Sequence, residues 1–281
     1  MSATTPTAAA AATRGAAARP TGSRRLGARG RRLLVPSARA LSPLAILLLW
    51  QLASATGALP ESTLESPSAI ASTAWDLIQS GELPDALLIS LQRALIGLAI
   101  GTVAAVVLGT IAGLSKIGDA IVDPPMQMVR TLPLFGLVPL FILWFGIGET
   151  PKVTLVALGV VIPLYLNLVA ALRGIDPDLR EVAATLRLTR AEQFRHVIVP
   201  GALPGALVGF RQSLGVAWLA LIVAEQINAS EGLGYLINNA RDFLRTDIVV
   251  VGLLAYAALG LITDAIVRAA ERRALRWRDA S

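Results

Sequence analysis

The sequence predicts an all-α integral membrane protein with about six transmembrane helices, and three observations carry that prediction. Of its 281 residues 54% are hydrophobic and only 16% charged, where soluble domains carry about 25% charged residues. The charges are also segregated. None falls in Ala40 to Pro60, Ala94 to Ser115 or Val153 to Leu172, and shorter clean runs cover Thr131 to Gly148, Gln212 to Ala224 and Ile248 to Thr263. A spanning helix needs about 20 mainly apolar residues, so the first three runs qualify alone and the others qualify with a charge near one end. Third, Arg crowds the segments before the first run and after the last, whereas 57–87 carries five acidic residues and no Lys or Arg.

The elements follow in order. Residues 1–38 are rich in Ala, Arg, Thr and Gly, with Arg14, Arg19, Arg24, Arg25, Arg29, Arg31 and Arg32 and no acid before Glu61. They read as a disordered basic tail ahead of a permease domain over 39–281. The first apolar run is too long for a signal-peptide core and has no clear small-residue cleavage site, so it reads as a retained helix from about Pro43 to Leu59. Gly57 to Leu87 carries Glu61, Glu65, Asp76, Glu82 and Asp85 without Lys or Arg, which places it outside by the positive-inside rule. Ile70, Trp75, Leu77 and Ile78 within it predict a short interfacial helix over Pro67–Ser80. A second span covers about Ala86 to Leu114, where Gly97, Gly101, Gly109 and Gly113 predict close helix packing. The third, about Val122 to Ile147, holds Pro124, Pro125, Pro133 and Pro139, whose freed carbonyls belong against protein or a pathway. A tight turn at Gly148-Glu149-Thr150-Pro151 leads to the fourth, about Val153 to Leu172. The fifth covers about Ala202 to Glu225 and the sixth about Ile248 to Val267, which ends in Arg268, Arg272, Arg273, Arg276 and Arg278. Six spans place both termini in the cytoplasm, and every loop sign agrees.

Several function classes are excluded. The chain has no cysteine and one histidine, His196, so no disulfide framework, thiolate site or histidine cluster is expected. No metal site, cofactor or catalytic set stands out. The charge of +6 flanks a membrane segment and forms no nucleic-acid-binding face. No Gly-Lys dipeptide occurs, so the phosphate-loop pattern is missing and any ATP-driven motor must be another subunit.

The loop 173–200 has five Arg against four acidic residues and must be cytoplasmic for the topology to hold. Asp176-Pro177 is a helix start, Asp as cap and Pro at the first helical position. Thr189 and Glu192 match a capping box. Two short helices joined by a tight turn are expected, a docking element rather than a connector.

Glu181-Val182-Ala183, Arg187 and Val197-Ile198-Val199-Pro200 together resemble, at matching spacing, the cytoplasmic signature of binding-protein-dependent ABC transporter permeases. The resemblance covers about residues 40–278. It implies a type I ABC importer permease fold in the bacterial cytoplasmic (inner) membrane. It further implies a homodimer of permeases, an ABC ATP-binding subunit dimer and an extracytoplasmic substrate-binding protein, with transport by alternating access. The same residues, with Thr189 and Glu192, would couple to the ATPase. The sequence departs from the family at Arg187, where the pattern has glycine. A turn that closes differently, a partner for Arg187 on the ATPase, and a weakened coupling are all open. Leu132-Pro133-Leu134, Leu143 to Ile147, Leu221 to Glu225 and Gly232 to Leu236 look like the aliphatic sulfonate branch, with taurine and nitrate permeases as near relatives.

Ionisable residues within spans are costly and face a cavity or a partner. Arg130 and Arg211 are candidates for a path taken by an organic anion. Arg93 and Glu225 lie near the outer boundary, where snorkelling or pairing would satisfy them. A gradient-driven secondary transporter is the rival from another class, and it leaves the docking loop without a purpose.

Overall fold

Without water to accept their hydrogen bonds, long apolar segments satisfy their own backbones as helices. The computed structural model, which describes residues 31–60 and 64–277, contains only helices and turns among those residues. Two units are resolved by contact, residues 1–49 and 50–281. Helix α1 (Arg31–Ala55) runs through the boundary between them. It begins at Arg31 rather than near Pro43, so the expected tail boundary at residue 38 falls inside a helix. Residues 1–30 lie outside the described residues.

In the second unit, α2 (Pro67–Gln79) is the short helix predicted from its apolar residues, capped by the Ser66 hydroxyl. The long apolar α3 (Glu82–Leu114) follows, then α4 (Lys116–Thr131), a 3-10 turn (Leu134–Leu137) and α5 (Val138–Phe145). Next come α6 (Glu149–Arg173), α7 (Pro177–Thr185), α8 (Arg190–Gln193), a π-turn (Phe194–Ile198) and α9 (Val199–Asn228). The chain closes with α10 (Leu233–Asp242) and α11 (Thr246–Ala274).

Among the described residues four helices are long and apolar enough to cross a membrane: α3, α6, the helix over 190–227 and α11. The expected third span is a bent pair instead, α4 meeting Leu134–Phe145 at 93°. Pro133 causes the break. A residue before proline is pushed out of the helical region, and Leu132 is extended at φ −72° and ψ 137°. With that pair the spans number five, and Ser42–Ala55 of α1 is a shorter apolar stretch. Hydropathy alone overstates the straight spans because it does not register where a helix bends.

Helix α6 is the axis of the unit, with buried residues from Pro151 to Leu172. It packs between α3 and α9. On the α3 side the glycines admit it: a methyl group added at Gly97 would sit 2.5 Å from Val156, and one at Gly101 would sit 2.5 Å from the Ala157 carbonyl oxygen. Gly109 and Gly113 meet Leu168 and Leu172 in the same way. The predicted small-residue contact is therefore the α3–α6 interface. On the other side the buried Ser213 hydroxyl of α9 donates to the Val160 carbonyl at 2.8 Å. Helix α2 is tied to the start of α11, where Asp247 accepts from Thr73 Oγ1 at 2.8 Å and from Arg245 Nη2 at 2.8 Å. Outward-facing side chains of α3 such as Ile100, Val103 and Val107 are exposed and apolar, as suits a surface that meets lipid or another apolar chain.

Gly101→Ala should destabilise the protein by about 1–3 kcal/mol, since backbone cannot yield as a side-chain tip can. Gly260→Ala, whose new methyl would touch only Trp218 at 3.9 Å, should leave stability nearly unchanged. Thermal unfolding in detergent compares the two.

Candidate functional site

The loop between α6 and α9 is built from its caps. Asp176 Oδ1 accepts from the Asp178 amide at 3.0 Å and Pro177 opens α7. The helix ends with Leu188 N donating to Ala183 O at 3.1 Å and Arg187 N donating to Ala184 O at 2.9 Å. These are the two bonds of a Schellman closure, which puts the residue after the cap in the left-handed region. That residue is Arg187, at φ 53°. The turn thus closes as it would around glycine, and the first of the three open alternatives, a different closure, is ruled out. A side chain in this region costs about 1 kcal/mol or more relative to glycine.

Thr189 and Glu192 make the predicted capping box: the Thr189 amide donates to Glu192 Oε2 at 2.8 Å, and the Glu192 amide donates to Thr189 Oγ1 at 3.3 Å. The helix begun there does not stay separate. It passes through the π-turn into α9 as one helix over 190–227, which corrects the expected pair of short helices. Pro200 explains the form of the junction. Proline lacks an amide proton and its ring crowds the carbonyl four residues back. A π-turn widens the helix just before it, where the Val199 amide reaches back to Phe194 O.

Ala183 is buried, whereas Glu181 and its neighbours Leu179, Val182 and Leu186 are exposed. Helix α7 therefore presents an apolar stripe bordered by charge, with Arg187 at its end. Val197 packs with Ile198 on the cluster of Leu168, Leu172, Ile175 and Ala202, and so anchors the loop from below, next to half-buried Pro200. A cavity of about 550 Å³ separates this loop from the end of α3 at Gly113 and Leu114. His196 Nδ1 lies 3.0 Å from the Glu192 carbonyl and is exposed.

The two candidate path residues differ. Arg130, in the last turn of α4 beside the break, is exposed and makes no ion pair among the described residues. Arg211 Nε donates to Asp264 Oδ1 at 3.0 Å, and Asp264 also takes Arg268 at 3.2 Å. Arg130 and Arg211 share no ion-pair partner among the described residues.

A second charged site lies where α6 begins and α9 ends. Glu225 is fully buried. Its carboxylate accepts from Arg93 Nη1 at 2.7 Å, Tyr256 Oη at 2.5 Å and the Gly234 amide at 3.0 Å, with Ser90 Oγ 2.8 Å from both oxygens. Arg93 Nη1 also donates to the Glu231 carbonyl at 2.7 Å. Gly232, at φ 97°, turns the backbone tightly past this guanidinium and carboxylate. The remaining edge of Arg93, Nε and Nη2, holds Glu149, which also takes Lys152 Nζ at 2.9 Å. Arg93 and Glu225 thus pair with each other rather than snorkel. Ser90, Glu149, Lys152 and Tyr256 were not singled out from sequence. Glu149 and Lys152 stand one turn apart, a pairing signal that reading Glu149 as part of a turn concealed. Among the described residues no group of His, Cys, Asp and Glu could hold a metal ion.

Comparison with known proteins fits this architecture. Residues 97–276 match the family model described as binding-protein-dependent transport system inner membrane component. The chain is 48% identical over 238 residues to an Escherichia coli protein named as the aliphatic sulfonates transport permease SsuC, covering 85% of this chain and 90% of that one. Its Bacillus subtilis namesake is 43% identical, over 85% and 87%. The taurine transport system permease protein TauC of Escherichia coli is 35% identical, over 67% and 68%. Among solved structures, the fold is shared with an amino acid ABC transporter crystallised with histidines, at TM-score 0.59 and 18% identity over 70% of this chain and 96% of that one. With its bent span, its central α6 and its capped loop between α6 and α9, the chain belongs to the family of binding-protein-dependent transport system inner membrane components, as a multi-pass ABC importer permease.

Proposed function

We propose that this chain is the membrane subunit of an ATP-driven importer of aliphatic sulfonates. The observation that carries the substrate is the 48% and 43% identity, over nearly whole lengths, to two proteins named as sulfonate permeases. The taurine relative, at 35% over a shorter stretch, makes taurine the second reading. Taurine is itself a sulfonate, so both share the anionic head group.

In this reading two copies of the chain pair in the bilayer, and an ATP-binding subunit sits on each loop 173–200. An extracytoplasmic binding protein delivers the solute. The exposed stripe of Leu179, Val182 and Leu186, with Glu181 and Arg187, forms the contact with the ATPase. Ala183, Val197 and Pro200 tie that contact to the bundle, and the capping box of Thr189 and Glu192 stiffens its second half. Because the helix runs from 190 to 227 without a break, a push on the loop is passed to α9 through the π-turn before Pro200. With Ser42–Ala55 of α1 as a sixth span, the basic flank after α11 and the acid-rich segment before α3 support a topology with both termini and the loop in the cytoplasm. Arg130 and Arg211 serve the passing anion, Arg130 through a head that makes no ion pair among the described residues and Arg211 by exchanging Asp264 for solute.

Reconstituted with its ATPase and binding protein, the complex should hydrolyse ATP faster when the binding protein carries a sulfonate. Glu181→Ala should cut that stimulation roughly tenfold, about 1.4 kcal/mol of docking energy. A response to nitrate but not to sulfonates would move the substrate; a chain that binds no ATPase would end the reading. Arg187→Gly should stabilise the α7 turn by about 1 kcal/mol, seen as roughly fivefold slower amide exchange at Leu188. Alanine at both Arg130 and Arg211 should reduce uptake roughly tenfold in normally assembled complexes, and unchanged uptake would remove them from the path.

A further inference from the structure

Four charges, those of Arg93, Glu149, Lys152 and Glu225, meet at this site and are not equivalent. Three are buried: the side chains of Arg93, Lys152 and Glu225 are 5%, 3% and 0% exposed, while that of Glu149 is 58% exposed. Glu225 is held by side chains and backbone from three other segments, those of Ser90, Arg93, Gly234 and Tyr256. Every side-chain hydrogen bond of Glu149, by contrast, goes to the two cations. The loop before it is open, with no atom beyond the chain neighbours within 4 Å of where a side chain would begin at Gly146 or Gly148. Glu149, already 58% exposed, would be hydrated if it moved outward, in exchange for its bonds to the two cations.

What it would leave behind is an anion site. Arg93 Nε, Arg93 Nη2 and Lys152 Nζ converge on one carboxylate, and the match is incomplete. Oε2 takes Arg93 Nε alone, while Oε1 takes both Arg93 Nη2, at 2.7 Å, and Lys152 Nζ, at 2.9 Å. A carboxylate has two oxygens for three donors. A sulfonate has three, arranged to give each donor its own. With Glu149 away, two buried cations face one buried carboxylate, a net positive charge that is costly to leave unpaired. A guanidinium fork is suited to an oxyanion of this kind. The groove lined by Glu82, Asp85 and Glu231 beside Gly232 has the opposite sign and is no part of the site.

We propose that Arg93 and Lys152 form a subsite for the sulfonate head group, kept closed by Glu149 as an internal stand-in that the incoming anion displaces. The class of anion rests on the sulfonate reading above, whereas the geometry stands apart from it. The exchange of one anion for another leaves the charge of the site unchanged, so neither buried cation is left bare.

The test is binding of methanesulfonate to the assembled transporter in nanodiscs, without binding protein or ATP. Glu149→Gln removes the competing charge and should raise affinity at least tenfold over the unaltered protein. Lys152→Met in the Glu149→Gln background should cancel the gain. The Glu149→Gln complex should also melt lower than the unaltered one and regain its melting temperature with methanesulfonate, but not with chloride at equal ionic strength. No gain in affinity, a gain that survives Lys152→Met, or equal rescue by chloride would each overturn the subsite. Equal affinity for acetate would overturn the three-oxygen match. If loaded binding protein still stimulates the ATPase when the gain is missing, the subsite alone has failed. A gain without any sulfonate transport supports the subsite and fails the function.

Discussion

The fold turns on the burial of one carboxylate. Glu225 has no access to solvent, and a buried ion survives only if its partners replace the water it has lost. Those partners come from α3, α11 and the turn into α10: Ser90 and Arg93, Tyr256, and the Gly234 amide. Removing one member of such a buried pair typically costs about 3–5 kcal/mol. In a bilayer the hydrophobic effect does not drive helices together, because lipid is as apolar as leucine. A polar knot of this kind supplies what apolar burial cannot, a fixed registry between helix ends. The close α3–α6 packing permitted by Gly97 and Gly101 then follows along the helices it aligns.

The opposite end of α9 is constructed differently. There the chain relies on caps, a left-handed turn and a π-turn, all local devices of about 1 kcal/mol each. Ala183, Val197 and the small cluster around Leu172 and Ile175 hold the loop to the bundle. A helix fixed at one end by a charge knot and at the other by weaker local contacts is a lever. In the proposed reading, force applied at the loop moves the end that is cheaper to move, and the knot is the pivot. This asymmetry suits alternating access, in which one side must yield while the other stays in registry.

Much of this was legible in the sequence, and what was not has a physical reason. Long charge-free runs disclosed α3, α6, α9 and α11, because lipid imposes both length and polarity. The caps at Asp176 and Thr189 were legible because capping is chemistry within a few residues. The 93° bend was only half legible: four prolines announced trouble in the third span, but nothing local says which one breaks it. Pro124 and Pro125 stay inside α4, while Pro133 ends it. Helix α10 lies between the expected fifth and sixth spans and hydropathy does not disclose it, since Asn238, Asn239, Arg241 and Asp242 lower its apolarity, although Leu233, Leu236, Ile237 and Ala240 do repeat at helical spacing and are buried. The charge knot was least legible, because Arg93 meets Glu149 and Glu225 only through tertiary packing.

Arg187 shows how a motif and its geometry separate. Glycine serves there because the Schellman closure needs a left-handed residue, and the closure forms here with arginine at φ 53°. The backbone requirement is therefore met at a strain of about 1 kcal/mol, small beside the free energy of a folded membrane subunit. A glycine would have met it without strain, so the turn alone does not account for the arginine. Its head group stands exposed, at the end of the exposed stripe on α7. In the reading proposed above, a charge placed there at the expense of backbone comfort belongs to the surface that meets the ATPase. The strain is local to one turn, whereas a cation on a docking surface acts on the whole partner through its field.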